Sequence, residues 1–305
     1  LHGPGRFLNF YLHFQPQSWM SWGSLFIPVY LGGLLLYAWM VLRVDLAARG
    51  QTGISLLTRL FRLAGRGGPA PRWAILAAAL LTLVGAGLVA LYTGMEVMVV
   101  QARPLWNTPF LPLQFVATAF AGAVGLSLVF NRFIGGRDSK LEMTLNRLLV
   151  LALALVLMLG GGWLFVSMSG ISASHSAAFN QVAGMPQWQL TAVWALLAII
   201  VPMALALWRP ASSGLITGLI AVHSAWMIRW TIFIGGQSIP KTGAGLYDYH
   251  LPLGGDGLLG IVGTLGLWIA LLVLMVDYLP WAGQAFSNSN KKATKVIDAS
   301  AIAQH

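Results

Sequence analysis

The chain has 305 residues, of which 57% are hydrophobic and only 9% are charged, and its formal net charge is +10. A soluble domain carries roughly 25% charged residues, so this composition excludes the soluble classes and predicts an integral membrane protein. Because the chain contains no cysteine, it holds no disulfide, no thiolate-bound cluster and no c-type haem attachment.

Seven apolar runs are long enough to cross a bilayer, which takes about 20 residues of helix. They cover residues 19–42, 73–95, 112–130, 148–169, 190–208, 214–236 and 257–276. Since the runs are continuous rather than alternating, they predict spanning helices and not a β-barrel. The predicted fold class is an all-α integral membrane protein, a polytopic bundle of about seven transmembrane helices over residues 1–280 with a polar cytoplasmic tail at 281–305.

The loop after the first run contains an amphipathic segment. Residues 54–66, ISLLTRLFRLAGR, alternate apolar side chains with Arg59, Arg62 and Arg66. This pattern is typical of a short helix at the membrane interface. A helix that covers the ends of the bundle is an equally good interpretation.

The basic residues fall mainly on one side of the predicted bundle. Of the 18 Lys and Arg residues, the outer side receives Arg6, Arg103, Arg229 and Lys241, and the other side receives the rest. The positive-inside rule therefore places the loops at 91–112, 170–188 and 237–256 outside, towards the periplasm of a Gram-negative bacterium. The positive charge reflects topology and contact with anionic lipids, and it does not indicate nucleic-acid binding.

Residues 91–107, LYTGMEVMVVQARPLWN, place ionisable groups at the end of the second run. On a continuous helix, Tyr92, Glu96 and Arg103 would lie near one face. Ionisable groups in an apolar segment are costly and predict a functional site. The alternative is that Glu96 lies at headgroup depth and Arg103 anchors the helix end, since Pro104 favours a loop there.

Arg229 lies within the sixth run, where a charged residue is expected to need a partner. Glu96 is the natural candidate, and the pair beside Tyr92 would form a polar pocket in the outer half of the bundle. Of the six histidines, only His223 is clearly inside a run, so a pair of haem ligands at matched depth is not expected. No cluster has metal-ligand spacing, and no metal site is predicted.

Three segments resemble the NrfD/polysulfide reductase family of membrane subunits. They are FQPQSWMSWGS at 14–24, YTGMEVMVVQARPLWNTPFLPLQF at 92–115 and IRWTIFIGGQSIPK at 228–241, in matching order and spacing. The run KTGAGLYDYHLPLGGDG, with its extra final helix, resembles the tetrathionate reductase branch. The family usually has two helices before the SWMSWG helix, which implies about nine in the full protein.

The resemblance implies a quinone-reactive anchor of a periplasm-facing oxidoreductase in the bacterial inner membrane. The implied partners are a four-cluster ferredoxin-like iron–sulfur subunit and a molybdopterin catalytic subunit, which would carry the metals. This chain would bind menaquinone or ubiquinone and neither haem nor metal. The family's quinone-site Tyr falls on Tyr92, and its late-helix Arg falls on Arg229.

Roles follow for the individual residues. Glu96 is predicted to be catalytic as a proton acceptor, and the quinone-binding residues are Tyr92, Arg229, Gln237 and His175. The outward loop at 237–256 is predicted to dock a partner through Lys241, Tyr247, Asp248 and His250. A structured connection with interfacial Tyr anchors is the alternative for that loop.

Two functions from other classes remain open at this point. The chain could be a structural anchor without a quinone site. It could also translocate ions or protons, which predicts polar residues continuing through the cytoplasmic half.

Overall fold

The computed structural model describes residues 8–49, 56–133, 137–239 and 250–278. Within these ranges the chain is helical and contains no strand. The helices are α1 (Asn9–Leu12), α2 (Trp19–Arg49), α3 (Leu56–Ala64), α4 (Arg72–Met98), α5 (Phe110–Phe133), α6 (Ser139–Ser169), α7 (Ala173–Ala183), α8 (Pro186–Trp208), α9 (Gly214–Ser238) and α10 (Leu258–Tyr278).

Seven of these helices are long and apolar enough to cross a membrane, namely α2, α4, α5, α6, α8, α9 and α10. Each coincides within a residue with one of the apolar runs found in the sequence, or extends beyond it, so the predicted all-α membrane fold is confirmed. The predicted polar tail at 281–305 lies outside the described residues.

Helix α6 begins well before the apolar run that starts at residue 148. The Asp138 carboxylate accepts hydrogen bonds from the N–H groups of Lys140 and Leu141 and so caps the helix. At the other end, Gly170 takes a left-handed conformation, with φ of 74°, which closes the helix without a Cβ clash. Because the first turns carry charged side chains, hydropathy alone did not predict this extension of the helix.

The chain divides into two compact units. Of the described residues, unit one comprises those within 1–30 and 83–249, and unit two comprises those within 31–82 and 250–305. In unit one, α5, α6, α8 and α9 enclose a core that includes the fully buried Leu149, Leu153 and Val156. Helices α5 and α9 cross at Gly125 and Gly218, where a Cβ on Gly218 would lie 2.6 Å from the Gly125 carbonyl oxygen. Small residues allow this close approach between membrane helices.

In unit two, the predicted amphipathic segment forms α3, which packs near the end of α2. The indole nitrogen of Trp39 donates to the Ala64 carbonyl at 2.6 Å. A Cβ on Gly65 would lie 2.4 Å from the Cα atom of Ala47, so the two backbones touch. These contacts support the interpretation of α3 as a helix that covers the end of a spanning helix.

A buried polar cluster joins the starts of α6 and α9, an end of unit one that we call the basic end because Arg137 and Arg209 lie there. The Glu142 carboxylate accepts from the Arg137 Nε at 2.7 Å and from the Gly214 backbone N–H at 2.7 Å. One turn further on, the Thr217 hydroxyl donates to the Asn146 side-chain oxygen at 2.9 Å. The cluster therefore satisfies the N–H group of Gly214, the first residue of α9, which has no acceptor within the helix.

We expect Glu142→Ala to destabilise the fold by about 1–3 kcal/mol, because the Gly214 N–H and the Arg137 guanidinium lose a buried acceptor. The measurement is the half-life of the folded protein in detergent at a fixed temperature. Glu142→Gln keeps an acceptor oxygen for Gly214 and is the matched control, with a smaller expected loss. An unchanged half-life for Glu142→Ala would contradict a structural role for the cluster.

Candidate functional site

Residues 99–109 connect α4 to α5 and define what we call the loop end of unit one. Within this connection, residues 103–107, the RPLWN segment, make side-chain or backbone hydrogen bonds to four helices. The loop end is thus held together by specific polar contacts rather than by apolar packing alone.

Arg103 binds the C-terminus of α9. Its Nη1 atom donates to the carbonyls of Gly236 at 3.1 Å and Gln237 at 3.0 Å, and also to that of Ile239. The last carbonyls of a helix lack partners within it and carry partial negative charge, so a guanidinium is stabilising there.

Helix α4 ends at Met98, before Arg103. The Asn107 side-chain nitrogen donates to the Met98 carbonyl at 2.6 Å and closes the helix. The predicted column of Tyr92, Glu96 and Arg103 on one continuous helix is therefore wrong, and the alternative of Arg103 in a loop is confirmed. Arg103 anchors the end of a different helix from the one expected.

Two indoles explain the paired glycines of the GGQ sequence. The Trp106 Nε1 donates to the Ile232 carbonyl at 3.1 Å, and the Trp188 Nε1 donates to the Thr231 carbonyl at 3.3 Å. A Cβ on Gly236 would lie 2.0 Å from the Trp106 Nε1, and one on Gly235 would lie 2.5 Å from the Trp188 Nε1. Side chains at either position would expel an indole from α9.

His175 holds the RPLWN segment from α7. It is only 3% exposed, its Nδ1 lies 2.9 Å from the Pro104 carbonyl and its Nε2 lies 2.8 Å from the Ser167 hydroxyl. A neutral ring with the proton on Nδ1 donates to the Pro104 carbonyl, and its Nε2 then shares the Ser167 hydroxyl proton with the Trp163 carbonyl, which lies 2.7 Å from that hydroxyl. Burial lowers the pKa of His175, and the Pro104 carbonyl opposes that shift. Since both ring nitrogens already have partners, His175 has no free nitrogen for a quinone oxygen, and its contacts favour a role in holding the loop.

Tyr92 and Glu96 lie one turn apart near the end of α4. The Tyr92 hydroxyl lies against the Glu96 carboxylate, to which it can donate a hydrogen bond. The Tyr92 ring packs on α2 at Gly23, where a Cβ would lie 2.3 Å from the ring Cζ atom. Both side chains of the pair are partly exposed. The glycine in SWMSWGS thus fixes the position of a phenol that stands beside a carboxylate.

Arg229 has partners, but Glu96 is not among its hydrogen bonds or salt bridges. Its Nε donates to the Thr118 hydroxyl at 3.1 Å and its Nη2 to the Phe115 carbonyl at 2.9 Å. The guanidinium also lies over the Phe115 ring at 4.7 Å. A salt bridge is present between Arg137 and Glu142, at the basic end and away from Arg229. The predicted ion pair between Arg229 and Glu96 is therefore wrong.

The geometry explains why that pair does not form. Arg229 lies about two and a half turns before the end of α9, whereas Glu96 lies in the last turn of α4. Gly94 packs on α5, since its Cβ would lie 2.5 Å from the Cα atom of Pro112. The side of α4 that carries Tyr92 faces α2 instead, so Glu96 and Arg229 point to different helices.

The remaining predicted site residues are dispersed. Gln237 is exposed in the last turn of α9, with its backbone carbonyl bound by Arg103. His250 is described and exposed. Lys241, Tyr247 and Asp248 lie outside the described residues. Of the predicted residues, the structure brings Tyr92 and Glu96 together.

Residues 170–188 were predicted to form a loop, and helix α7 within them was not predicted. The helix buries His175, Ala178, Phe179 and Val182, which recur at the i, i+3, i+4 and i+7 spacing of an amphipathic helix. That spacing could have revealed it. No comparable sequence pattern marks Gly23 of α2 or Gln114 of α5, because the structural role of each depends on contacts with other helices.

Seven spanning helices and a polar, tightly hydrogen-bonded loop end define a polytopic membrane protein. Residues 1–241 match the family described as "Polysulphide reductase, NrfD". The chain belongs to this family, as the sequence resemblance predicted.

Two relatives extend the match beyond the family segment. The C subunit of tetrathionate reductase from Salmonella typhimurium is 32% identical over 286 residues, which cover 92% of this chain and 75% of that protein. The C subunit of selenate reductase from Mesobacillus selenatarsenatis is 25% identical over 313 residues, which cover 91% of this chain and 71% of that protein.

We expect the loop end to loosen as the pH falls. Because burial lowers the pKa of His175 in the folded state, the opened loop binds a proton more readily than the closed one. The stabilisation of the closed loop end by neutral His175 is complete above the ordinary histidine pKa of about 6.5. It is lost as the pH falls below that value. The measurement is hydrogen exchange of amides 99–109 between neutral and acidic pH, corrected for intrinsic rates.

In His175→Gln, exchange should be faster at neutral pH and should lose this pH dependence. A pH dependence of the same size in His175→Gln would assign the effect to another group.

Proposed function

We propose that this chain is the quinone-reactive membrane anchor of an oxidoreductase complex. It exchanges electrons between the membrane quinone pool and an iron–sulfur partner subunit. Family membership and two relatives named as subunits of reductases support a place within such a complex. The observation that carries the quinone assignment is the Tyr92–Glu96 pair held against Gly23.

The chemistry of the pair fits a quinol. Oxidation of a quinol to a quinone releases two electrons and two protons. The Tyr92 hydroxyl can donate to or accept from a ring oxygen, and the Glu96 carboxylate can accept a proton. Because Glu96 lies in the last turn of α4, a proton on it is close to the membrane surface, where water can take it. The electrons pass to the partner, since this chain has no cysteine for a cluster.

The partial exposure of Tyr92 and Glu96 also supports this proposal. Both stand on a helix whose neighbouring surface is apolar, so a lipid-soluble molecule can reach them laterally. Arg229 remains a proposed contributor by resemblance, but its bonds to Thr118 and Phe115 favour a role in holding α5 against α9. Gln237 remains a candidate because its side chain is exposed at the loop end.

Partner docking at the same end is part of the proposal. The relatives are named as parts of reductases, and the predicted outer loop with Lys241, Tyr247, Asp248 and His250 follows directly after α9. An iron–sulfur subunit bound there, with a molybdopterin subunit behind it, would receive electrons close to the Tyr92–Glu96 pair. The positive-inside rule places this end in the periplasm of a bacterial inner membrane.

The packing of unit one disfavours a proton path through its core. Between Asn146 near the basic end and Gln114 near the loop end, α6 presents Leu149, Leu153 and Val156, each with 0% exposure. A proton path needs polar side chains or water at intervals. Along this face of α6, the described residues between Asn146 and the loop end present no polar side chain.

The test is quinol oxidation by the intact complex purified in mild detergent. We expect Tyr92→Phe to lower turnover about tenfold or more by removing one charge-assisted hydrogen bond, and Glu96→Gln to lower it by about 10²-fold by removing the proton acceptor. Tyr30→Phe, the same change on α2, is the control and should retain full turnover. Full turnover in both site variants would support a purely structural anchor.

Gly23→Ala tests the geometry independently of the reacting groups. Its new methyl would overlap the Tyr92 ring, so turnover should fall although the phenol and carboxylate are intact. Assembly with the partner subunits, followed by co-purification, separates this effect from misfolding. Normal turnover in an assembled Gly23→Ala complex would show that the position of Tyr92 does not matter.

A further inference from the structure

A cavity of about 180 Å³ lies inside unit one among α5, α6, α8 and α9, close to the loop end. Its lining is almost wholly apolar and includes the aromatic rings of Phe110, Trp163 and Trp188. Neither Tyr92 nor Glu96 lines it. The cavity is therefore separate from the proposed quinone site.

One polar group in the cavity wall lacks a partner. Gln114 is 5% exposed, and its side-chain nitrogen donates to the Val156 carbonyl at 3.2 Å. Its Oε1 has no hydrogen-bond partner. Rotating the amide would place two acceptors, Oε1 and the Val156 carbonyl, against each other, so the orientation is fixed. A buried acceptor without a donor is costly, and a ligand with a hydroxyl would remove that cost.

The other polar groups of the lining are already satisfied. The Thr231 hydroxyl donates to the Met227 carbonyl at 2.9 Å, and the Trp188 indole donates to the Thr231 carbonyl at 3.3 Å. The open polar groups of the lining therefore belong to Gln114, namely the acceptor Oε1 and the second N–H of its amide. A ligand that satisfies Oε1 should be apolar apart from a donor at that position.

The volume suits a single substituted ring. An apolar protein cavity of about 150 Å³ is large enough to bind benzene. Aromatic walls favour a flat ring, since offset and edge-to-face contacts are stabilising. Leu164 and Leu196 line the cavity and are 40% and 45% exposed, so an apolar tail can leave between α6 and α8 towards the bilayer.

We propose that this cavity binds the ring of a membrane quinol in its reduced form, with a ring hydroxyl donating to the Gln114 Oε1. The oxidised ring has only acceptor oxygens, so it leaves Oε1 unpaired and is bound less tightly. The choice of a quinol rests on the proposed function, because that function supplies this class of molecule. The residues involved are different, and the site can exist without a reactive Tyr92.

Glycines of α6 offer a way to fill the cavity. A Cβ on Gly162 would lie 2.6 Å from the Phe110 ring, so that glycine is required for packing. Gly160 also lines the cavity, and a Cβ there would lie 3.7 Å from the Gln114 Nε2, an ordinary contact distance. Gly160→Leu should therefore fill the space beside Gln114. Gly87 of α4 has open space around it, and Gly87→Leu is the matched control.

The experiment uses the intact complex, stripped of bound quinone, under anaerobic conditions. The shift of its unfolding midpoint is titrated with decylubiquinol and with decylubiquinone in the Tyr92→Phe background. We expect the reduced form to bind roughly tenfold more tightly, as one unpaired buried acceptor predicts. Gln114→Leu should abolish this preference, Gly160→Leu should abolish binding of both forms, and Gly87→Leu should change neither.

Equal binding of the two forms without further substitution would overturn the proposal. So would equal protection by decylbenzene, which has the ring and tail but no oxygen and would indicate an acyl-chain pocket. Selective binding combined with normal turnover in Tyr92→Phe would refute the proposed quinone site and leave this one standing. Loss of turnover in Tyr92→Phe with no selective binding would refute this cavity site and leave the proposed quinone site standing.

Discussion

The contact between Arg103 and the last carbonyls of α9 is the interaction on which the loop end depends. A guanidinium at the C-terminus of a helix satisfies groups that the helix cannot satisfy itself, and here it does so from a connection that follows α4. The neighbouring residues then engage α4 through Asn107 and α6 and α7 through backbone carbonyls. The last turns of α4, which carry Tyr92 and Glu96, are thereby fixed relative to three other helices, α6, α7 and α9.

Glycine has a different purpose at this end than in the middle of the bundle. At Gly125 and Gly218 it lets two helix backbones approach each other. At Gly23, Gly235 and Gly236 it makes room for the rings of Tyr92, Trp188 and Trp106. Rings that pack against a helix backbone hold their polar atoms at defined positions. The loop end therefore has the precision that a binding site needs, although it is built around a connection.

The sequence was sufficient for the spans and for the pairing of Tyr92 with Glu96. Spans follow from the thickness of a bilayer, and a four-residue spacing near the end of α4 stays within one helix. The partner of Arg229 could not be predicted in this way, because it depends on which helix lies opposite. A guanidinium has five donors and can be satisfied by neutral oxygens, as Thr118 and Phe115 show. The expectation that a buried charge needs an opposite charge was therefore too narrow.

The predicted start of α6 was wrong for a related reason. Glu142 and its neighbours interrupt the apolar pattern, yet the carboxylate is buried and bound by Arg137 and Gly214. Within unit one, Leu149, Leu153 and Val156 of α6 are buried between the polar contacts of the basic end and those of the loop end. An ion crossing beside these side chains would lose its solvation without replacement. This packing agrees with the proposed function, in which an apolar reactant binds at the loop end and its protons are released at that same end.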